Sequence, residues 1–260
     1  MLNRLAALAY GLFAYALFLF TSVFALCFLG NFWLKRTIDS ASRSTSVSGM
    51  LLAILIDCGL LTLFAVQHSV MARPWFKRWW TKYVPEPVER STYLVLSCVA
   101  LGLIVALWEP IGGVIWHVQS PWLRTATYAL YLSGWLIVVG STLLINHFDL
   151  FGLRQVWLFY QGREYTGLPF RTPGPYRWIR HPLYVGWLTV FWAAPTMTVS
   201  HLLFAGGMFV YILLAIRWEE RDLLAYHGQS YARYRDETPM LIPGLRGKAI
   251  NLKADLSGNA

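Results

Sequence analysis

The chain alternates long apolar runs with shorter polar ones, and the apolar runs have the lengths of membrane spans. Residues 5–29 form 25 positions without a charge. A helix crossing a bilayer needs about 20 apolar residues, with a lower limit near 17. The first run exceeds the ~7–15 residues of a signal-peptide core, so it reads as an uncleaved helix. Residues 48–70, 92–108 and 125–146 also qualify, the second with Asp57 near its middle. The stretch 182–218 is longer, 37 residues, with Arg217 near its end. Pro195 and the polar run 196–200 interrupt it. Two antiparallel halves, about 182–198 and 202–218, each ~25 Å at 1.5 Å per residue, fit better than one helix. Such a hairpin returns residues 217–220 to the membrane face where 180–186 begin.

The predicted fold class is therefore an all-α polytopic membrane protein. It is a helical bundle of five to six transmembrane segments, the last pair a hairpin. A small cytosolic C-terminal lobe covers 219–245. One domain is expected over 1–245, followed by a polar tail over 246–260.

Composition excludes the soluble classes. Hydrophobic residues make up 57% and charged residues 13% of the 260, against roughly 45–50% and 25% in soluble chains. Mean hydropathy is +0.46. The same figures exclude disorder. The net charge of +9 would suggest nucleic acid in a soluble protein; here basic loops facing anionic lipid explain it, and no nucleic-acid partner is expected. Cys27, Cys58 and Cys98 all lie in apolar segments, form no CxxC, and read as small buried hydrophobes.

Loop charge orients the bundle. With a hairpin at 182–218, residues 71–91, 147–181, the tail from Arg217, and Arg4 share one side; Lys35, Arg36, Arg43 and Arg124 lie on the other. The division is 18 against four, which places both termini in the cytoplasm, as for a multi-pass protein of a bacterial inner membrane. Trp33, Trp108, Trp122, Trp178 and Trp218 fall at segment ends, where an interfacial aromatic belt would sit.

Candidate chemistry begins with absences. No two glycines stand at i and i+2, so the dinucleotide fingerprint is missing. There is no Walker loop, no HExxH and no paired-cysteine zinc pattern, so no metal site is expected. The richest region is TPGPYRWIRHPLYVGW, 172–187. Pro182 suits the first position of a helix, which sets Arg180 and His181 at a helix mouth, a place to hold a carboxylate. A positive-inside stop signal is the plain alternative. Glu219 and Glu220 follow an apolar helix inside a basic tail, and acids at a helix C-terminus oppose its dipole. If the hairpin forms, they face Arg180 and His181, either as an ordinary salt bridge or as polar groups flanking a zwitterionic ligand.

RHPLYVG followed by EE, Gly228, Tyr231, Tyr234 and Pro243 resembles the isoprenylcysteine carboxyl methyltransferase superfamily. The resemblance implies S-adenosylmethionine as methyl donor, with Arg180, His181, Pro182, Leu183, Tyr184, Gly186, Glu219 and Glu220 lining its pocket. FAVQHSVMAR (64–73), ERSTY (89–93) and NHFDLFGLRQVWL (146–158) look like the nurim/NnrU-type group, and within it the methanethiol S-methyltransferases. What that implies is S-methylation of methanethiol, with hydrogen sulfide as a further acceptor. Isoprenylcysteine or lipid methylation, and a non-enzymatic nurim-like scaffold, remain as alternatives.

The HFD motif suits thiol chemistry in its own right. Transfer to sulfur needs a thiolate, and even a cysteine thiol with pKa about 8.5 is only a few per cent ionised at neutral pH. A base beside the sulfur helps. His147 with Asp149, at the cytoplasmic end of the fourth segment, can supply one; a capped helix end is the other reading. His68 at the same face can contact substrate or anchor its helix. Arg180 joins these as a candidate catalytic residue. Asp57, about 16 Å of helix rise from His68, is expected to be structural: an ionised carboxylate at mid-bilayer costs ~2.5–3.5 kcal/mol.

Overall fold

The structure, a computed structural model, describes residues 1–43 and 45–245; the tail expected over 246–260 lies outside the described residues. The elements in chain order are α1 (Leu2–Gly30), α2 (Val47–Ala72), α3 (Pro74–Trp80), α4 (Glu86–Leu107), β1 (Val114–His117), α5 (Pro121–Ile145), α6 (His147–Leu150) and α7 (Leu153–Tyr160). A 3-10 turn (Gly174–Arg177), α8 (Pro182–Trp192), β2 (Thr196–Thr198), α9 (Val199–His227) and α10 (Gln229–Glu237) follow. Helices α1, α2, α4, α5 and α9 are long and apolar enough to cross a membrane. Large apolar side chains point outward along them, Leu55 69% and Leu136 74% exposed. A surface of that kind needs hydrocarbon as its solvent, so this is an integral membrane protein.

Local chemistry sets the helix ends. Proline opens α3, α5 and α8, where its missing N–H has no intrahelical partner to lose. Glu86 and Glu89 occupy the first turn of α4, where the positive end of the dipole favours them. Asn31 ends α1 in the left-handed conformation.

The 182–218 hairpin forms, with unequal arms. Helix α8 has 11 residues, about 16 Å of rise, and stops at Trp192 rather than 198. Pro195 cannot continue it, and the residue before a proline is steered out of the helical region. The polar run is not a simple turn. Residues 196–198 pair antiparallel with β1 as a short ribbon, in register Val114↔Thr198 and His117↔Thr196. Thr198 then caps α9, its hydroxyl accepting the His201 N–H at 3.2 Å. Helix α9 runs unbroken through Glu219 and Glu220 to His227, so the C-terminal lobe is this helix's last turns, α10 and the segment beyond.

Helices α5 and α8 cross at their glycines. A Cβ on Gly186 would stand 2.9 Å from the Val138 nitrogen and 3.0 Å from the Gly134 carbonyl oxygen. A Cβ on Gly134 would stand 3.0 Å from the Gly186 oxygen. Small residues let helix backbones approach this closely, as membrane helices favour. The main core takes in the crossing and includes Phe28, Trp108, Tyr131, Trp135, Phe191, Phe204 and Met208.

Two expectations are corrected. Trp108 is not a belt residue: it is buried in this core, its indole N–H donating to Ser200 Oγ at 2.8 Å. Cys58 is exposed on the outer face of α2, unlike Cys27 and Cys98. Asp57 is fully buried and accepts the Glu109 backbone N–H at 2.9 Å, closing the end of α4. That supports its structural reading.

Candidate active site

The start of α8 and the middle of α9 stand side by side. Glu220 Oε1 accepts from Arg180 Nε at 2.7 Å and from His181 Nε2 at 2.9 Å. Both partners of the ion pair are largely enclosed, with side chains 12% and 15% exposed. Arg180 Nη1 also donates to the carbonyl of Arg235, at 2.9 Å, and to that of Thr238. The backbone N–H groups of Arg180 and His181 donate to the carbonyls of Pro239 and Met240 at 2.9 and 3.2 Å. The segment after α10 is thereby fastened across the mouth of α8. Tyr184, on the first turn, donates to Glu219 Oε2 at 2.8 Å. Pro182 is buried at the helix start and Leu183 half-buried beside it; Gly186 sits at the α5 crossing.

Aromatic residues close this cluster from the C-terminal side. Tyr234 donates to the Tyr176 carbonyl at 2.5 Å. Phe170 packs edge-on against Tyr231 and Tyr234, ring centroids 5.7 and 5.4 Å away. Burial pushes the Tyr234 phenol up to about 12 and raises Tyr231 as well, so both stay protonated at neutral pH. Among the described residues the buried Tyr231 hydroxyl has no hydrogen-bond partner, which is costly unless a polar group meets it. Two carboxylates, a guanidinium, an imidazole and an unmatched phenol in one cluster suit a ligand carrying both charges.

His68 adjoins this region. Its Nδ1 lies 3.2 Å from Ser97 Oγ, and the Tyr93 hydroxyl stands 2.9 Å from its Nε2. Phe64 stacks on the ring at 5.2 Å. The next residue, Ser69, donates to Tyr211 Oη at 3.2 Å. Tyr211 and Tyr184 both pack against the main hydrophobic core. Arg73 pairs with Asp222 at 2.7 Å, tying the end of α2 to α9.

His147 and Asp149 do not pair with each other. The His147 ring sits between Tyr15 Oη, 2.8 Å from Nε2, and Thr142 Oγ1, 2.8 Å from Nδ1. Asp149 turns away to Arg154 at 2.9 Å and Tyr165 at 3.3 Å. Asn146 caps this turn, its side chain accepting the Asp149 N–H at 3.2 Å. Burial lowers the His147 pKa, so the ring is neutral at pH 7.

Arg90 bridges the two histidine regions. Its Nε donates to the Leu150 carbonyl at 2.9 Å, and its guanidinium lies 5.4 Å from the Tyr93 ring centre. Ser141 lies beside the Tyr176 hydroxyl, so adjacent residues of α5 serve the α8 cluster and His147. Arg90 and Tyr93 belong to the ERSTY motif, whose sequence alone assigns them no role; Tyr15 and Thr142 lie in membrane-span runs where the sequence carries no local signal for a site. Among the described residues no cluster of three or more metal-ligating side chains forms.

The chain resembles known proteins over most of its length. The family model described as NnrU protein matches residues 54–245. A methanethiol S-methyltransferase from Crocosphaera subtropica is 52% identical over 248 residues, covering 95% of this chain and 96% of that one. A methanethiol S-methyltransferase from Mycobacterium tuberculosis is 47% identical, covering 93% and 98%. Nurim from Sus scrofa is 32% identical over 185 residues, covering 67% and 69%. No solved structure matches the chain. With its five long apolar helices and a family match that includes every candidate residue of the α8–α9 cluster, the chain belongs to the NnrU family.

Proposed function

We propose that this protein is an S-adenosylmethionine-dependent thiol S-methyltransferase. It methylates methanethiol, giving dimethyl sulfide and S-adenosylhomocysteine, and accepts hydrogen sulfide as a smaller substrate. The observation that carries the reading is the 52% identity to a methanethiol S-methyltransferase across 95% of the chain. The cluster's chemistry agrees with it. S-adenosylmethionine is zwitterionic at its amino-acid end and cationic at sulfur, and the carboxylates, the guanidinium and the unmatched Tyr231 phenol fit such a ligand. When bound, it supplies an electrophilic methyl group.

The chain's own residues do the rest. Arg180, His181, Pro182, Leu183, Tyr184, Gly186, Glu219 and Glu220 form the donor pocket, with Arg180 also holding the charge balance at the reacting end. His147, neutral at pH 7, takes the thiol proton. His68, enclosed by Tyr93 and Phe64, borders the acceptor. Asp149 holds Arg154 and Tyr165, keeping the loop over His147 in place. Positioning donor and thiol at contact supplies much of the acceleration, since oriented intramolecular reactions reach effective molarities of about 10⁵–10⁸ M. Loop charge supports cytoplasmic termini in a bacterial inner membrane, with the site on the cytosolic side where the donor is found.

Purified protein in detergent, given S-adenosylmethionine and methanethiol, should release dimethyl sulfide, measured by headspace gas chromatography. Donor binding without any dimethyl sulfide would overturn the substrate. Preference for a prenylated cysteine would move the protein to the carboxyl-methylating branch.

A further inference from the structure

We infer that Thr142 and Tyr15 set the direction of proton transfer at His147: Thr142 fixes the ring tautomer, and Tyr15 relays the thiol proton to Nε2. The inference rests on the thiol-methylating reading above and goes beyond it by naming the proton's path.

We assign the protons from the hydrogen-bond network: Thr142 has one hydroxyl proton, and the assignment gives it to the Val139 carbonyl, 2.7 Å away. Toward His147 the same oxygen can therefore only accept, so the facing Nδ1, at 2.8 Å, carries the ring's hydrogen. In the neutral ring Nε2 then bears the lone pair, and the Tyr15 hydroxyl 2.8 Å away donates to it. Aromatic walls hold the ring in that orientation. Phe151 lies 4.7 Å, Phe148 5.6 Å and Tyr15 5.7 Å from its centroid, each steeply inclined to it. A ring flip would have to push past all three.

The surroundings add no competing charge. From α1 the titratable group facing the ring is Tyr15, and from α5 the facing group is the uncharged Thr142. On α6, Asp149 is turned to Arg154 and Tyr165. On α4, Arg90 is held by the Leu150 carbonyl. The approach is apolar: Tyr15 and His147 are half-buried beside the exposed Phe148. A small apolar thiol can reach Tyr15 from the hydrocarbon side.

The step balances as follows. The thiol S–H bond breaks and its proton goes to the Tyr15 oxygen. The Tyr15 O–H bond breaks in the same motion and its proton goes to Nε2. The products are a thiolate, a neutral tyrosine and a His147 imidazolium whose Nδ1–H still points at Thr142. The thiolate sulfur then forms the new S–C bond as the donor's methyl–sulfonium bond breaks, that bonding pair staying with the sulfur of the departing S-adenosylhomocysteine, and Nε2 later returns its proton to water. Tyr15 touches the acceptor and is a catalytic residue; Thr142 acts through His147 and is a positioning residue.

The test uses full-length protein in micelles. Nitrogen-15 NMR of labelled histidine, assigned with His147→Gln, reads the tautomer without donor or thiol. Wild type and Thr142→Ser should show hydrogen on Nδ1, and Thr142→Val should shift it toward Nε2. In dimethyl sulfide assays Tyr15→Phe should lower kcat by about 10²–10⁴-fold, the range for a positioned proton-transfer group. The defect should shrink as pH rises and free thiolate accumulates, while donor affinity holds. Thr142→Val should show a milder loss of the same pH form, rescued by Thr142→Ser. Hydrogen on Nε2 in wild type, or a Tyr15→Phe enzyme of unchanged kcat, would overturn the relay. A wild type that shows the Nδ1 tautomer and makes no dimethyl sulfide would instead overturn the thiol reading.

Discussion

Glu220 is the residue on which the α8–α9 cluster depends most, because one of its oxygens serves two donors. Arg180 Nε and His181 Nε2 meet Oε1 at 2.7 and 2.9 Å, with the side chains of Arg180 and Glu220 only 12% and 15% exposed. Glu220→Ala removes both contacts and leaves a poorly solvated guanidinium. A hydrogen bond to a charged group is worth about 1.5–3 kcal/mol, and breaking a buried pair from one side costs about 3–5 kcal/mol. Arg180 keeps the carbonyls of Arg235 and Thr238, so the lower end applies. We expect about 3 kcal/mol, or roughly 150-fold at 1.4 kcal/mol per decade. Glu220→Gln keeps an acceptor oxygen and loses only the charge. Charge-assisted bonds are about twice as strong as neutral ones, which gives about 1.5 kcal/mol, near tenfold. Titration calorimetry with S-adenosylmethionine and thermal unfolding, both in detergent, separate binding from folding. The expected order is wild type, then Gln, then Ala. An Ala variant that matches wild type in both measurements would show that Glu220 neither holds the mouth of α8 nor shapes the pocket.

Three further outcomes follow from the same structure. Gly186→Ala should lower the unfolding midpoint by the equivalent of about 1–3 kcal/mol, the range for overpacking, because the new Cβ meets backbone 2.9–3.0 Å away; an unchanged midpoint would mean that α5 and α8 separate freely. Asp57→Asn should insert and methylate like wild type, since an amide oxygen can still accept the Glu109 N–H, whereas Asp57→Leu should be less stable; loss of activity in a well-folded Asn variant would give Asp57 a chemical role. Asp39 is held by Thr198, Asn31 and His201. Its burial would raise the carboxyl pKa, but these hydrogen bonds and the His201 charge outweigh burial and lower it. The stabilisation is therefore present above the unfolded value of about 3.9 and is lost as pH falls through the lower folded value. Unfolding midpoints measured across that range should fall for wild type and change little for Asp39→Asn.

The spans were legible because a bilayer imposes a length on an apolar run, and length is a one-dimensional property. The meeting of Arg180 and His181 with Glu220 was legible for a similar reason. Pro195 breaks the apolar stretch, and the two halves must return to the same face. Run length could not show that α8 stops at Trp192 while α9 runs on to His227, because that depends on the ribbon residues 196–198 form with β1, some eighty positions away. The long-range partners were hidden more deeply. Tyr15 meets His147 across 132 positions, and Asp39 meets His201 across 162. Asp149, two residues from His147, pairs elsewhere. In a soluble helix the apolar stripe would mark the inward face. Here α1 is apolar all round, since lipid and core ask for the same side chains. The chain therefore carries no periodic signal of which way Tyr15 points, and only helix packing decides it.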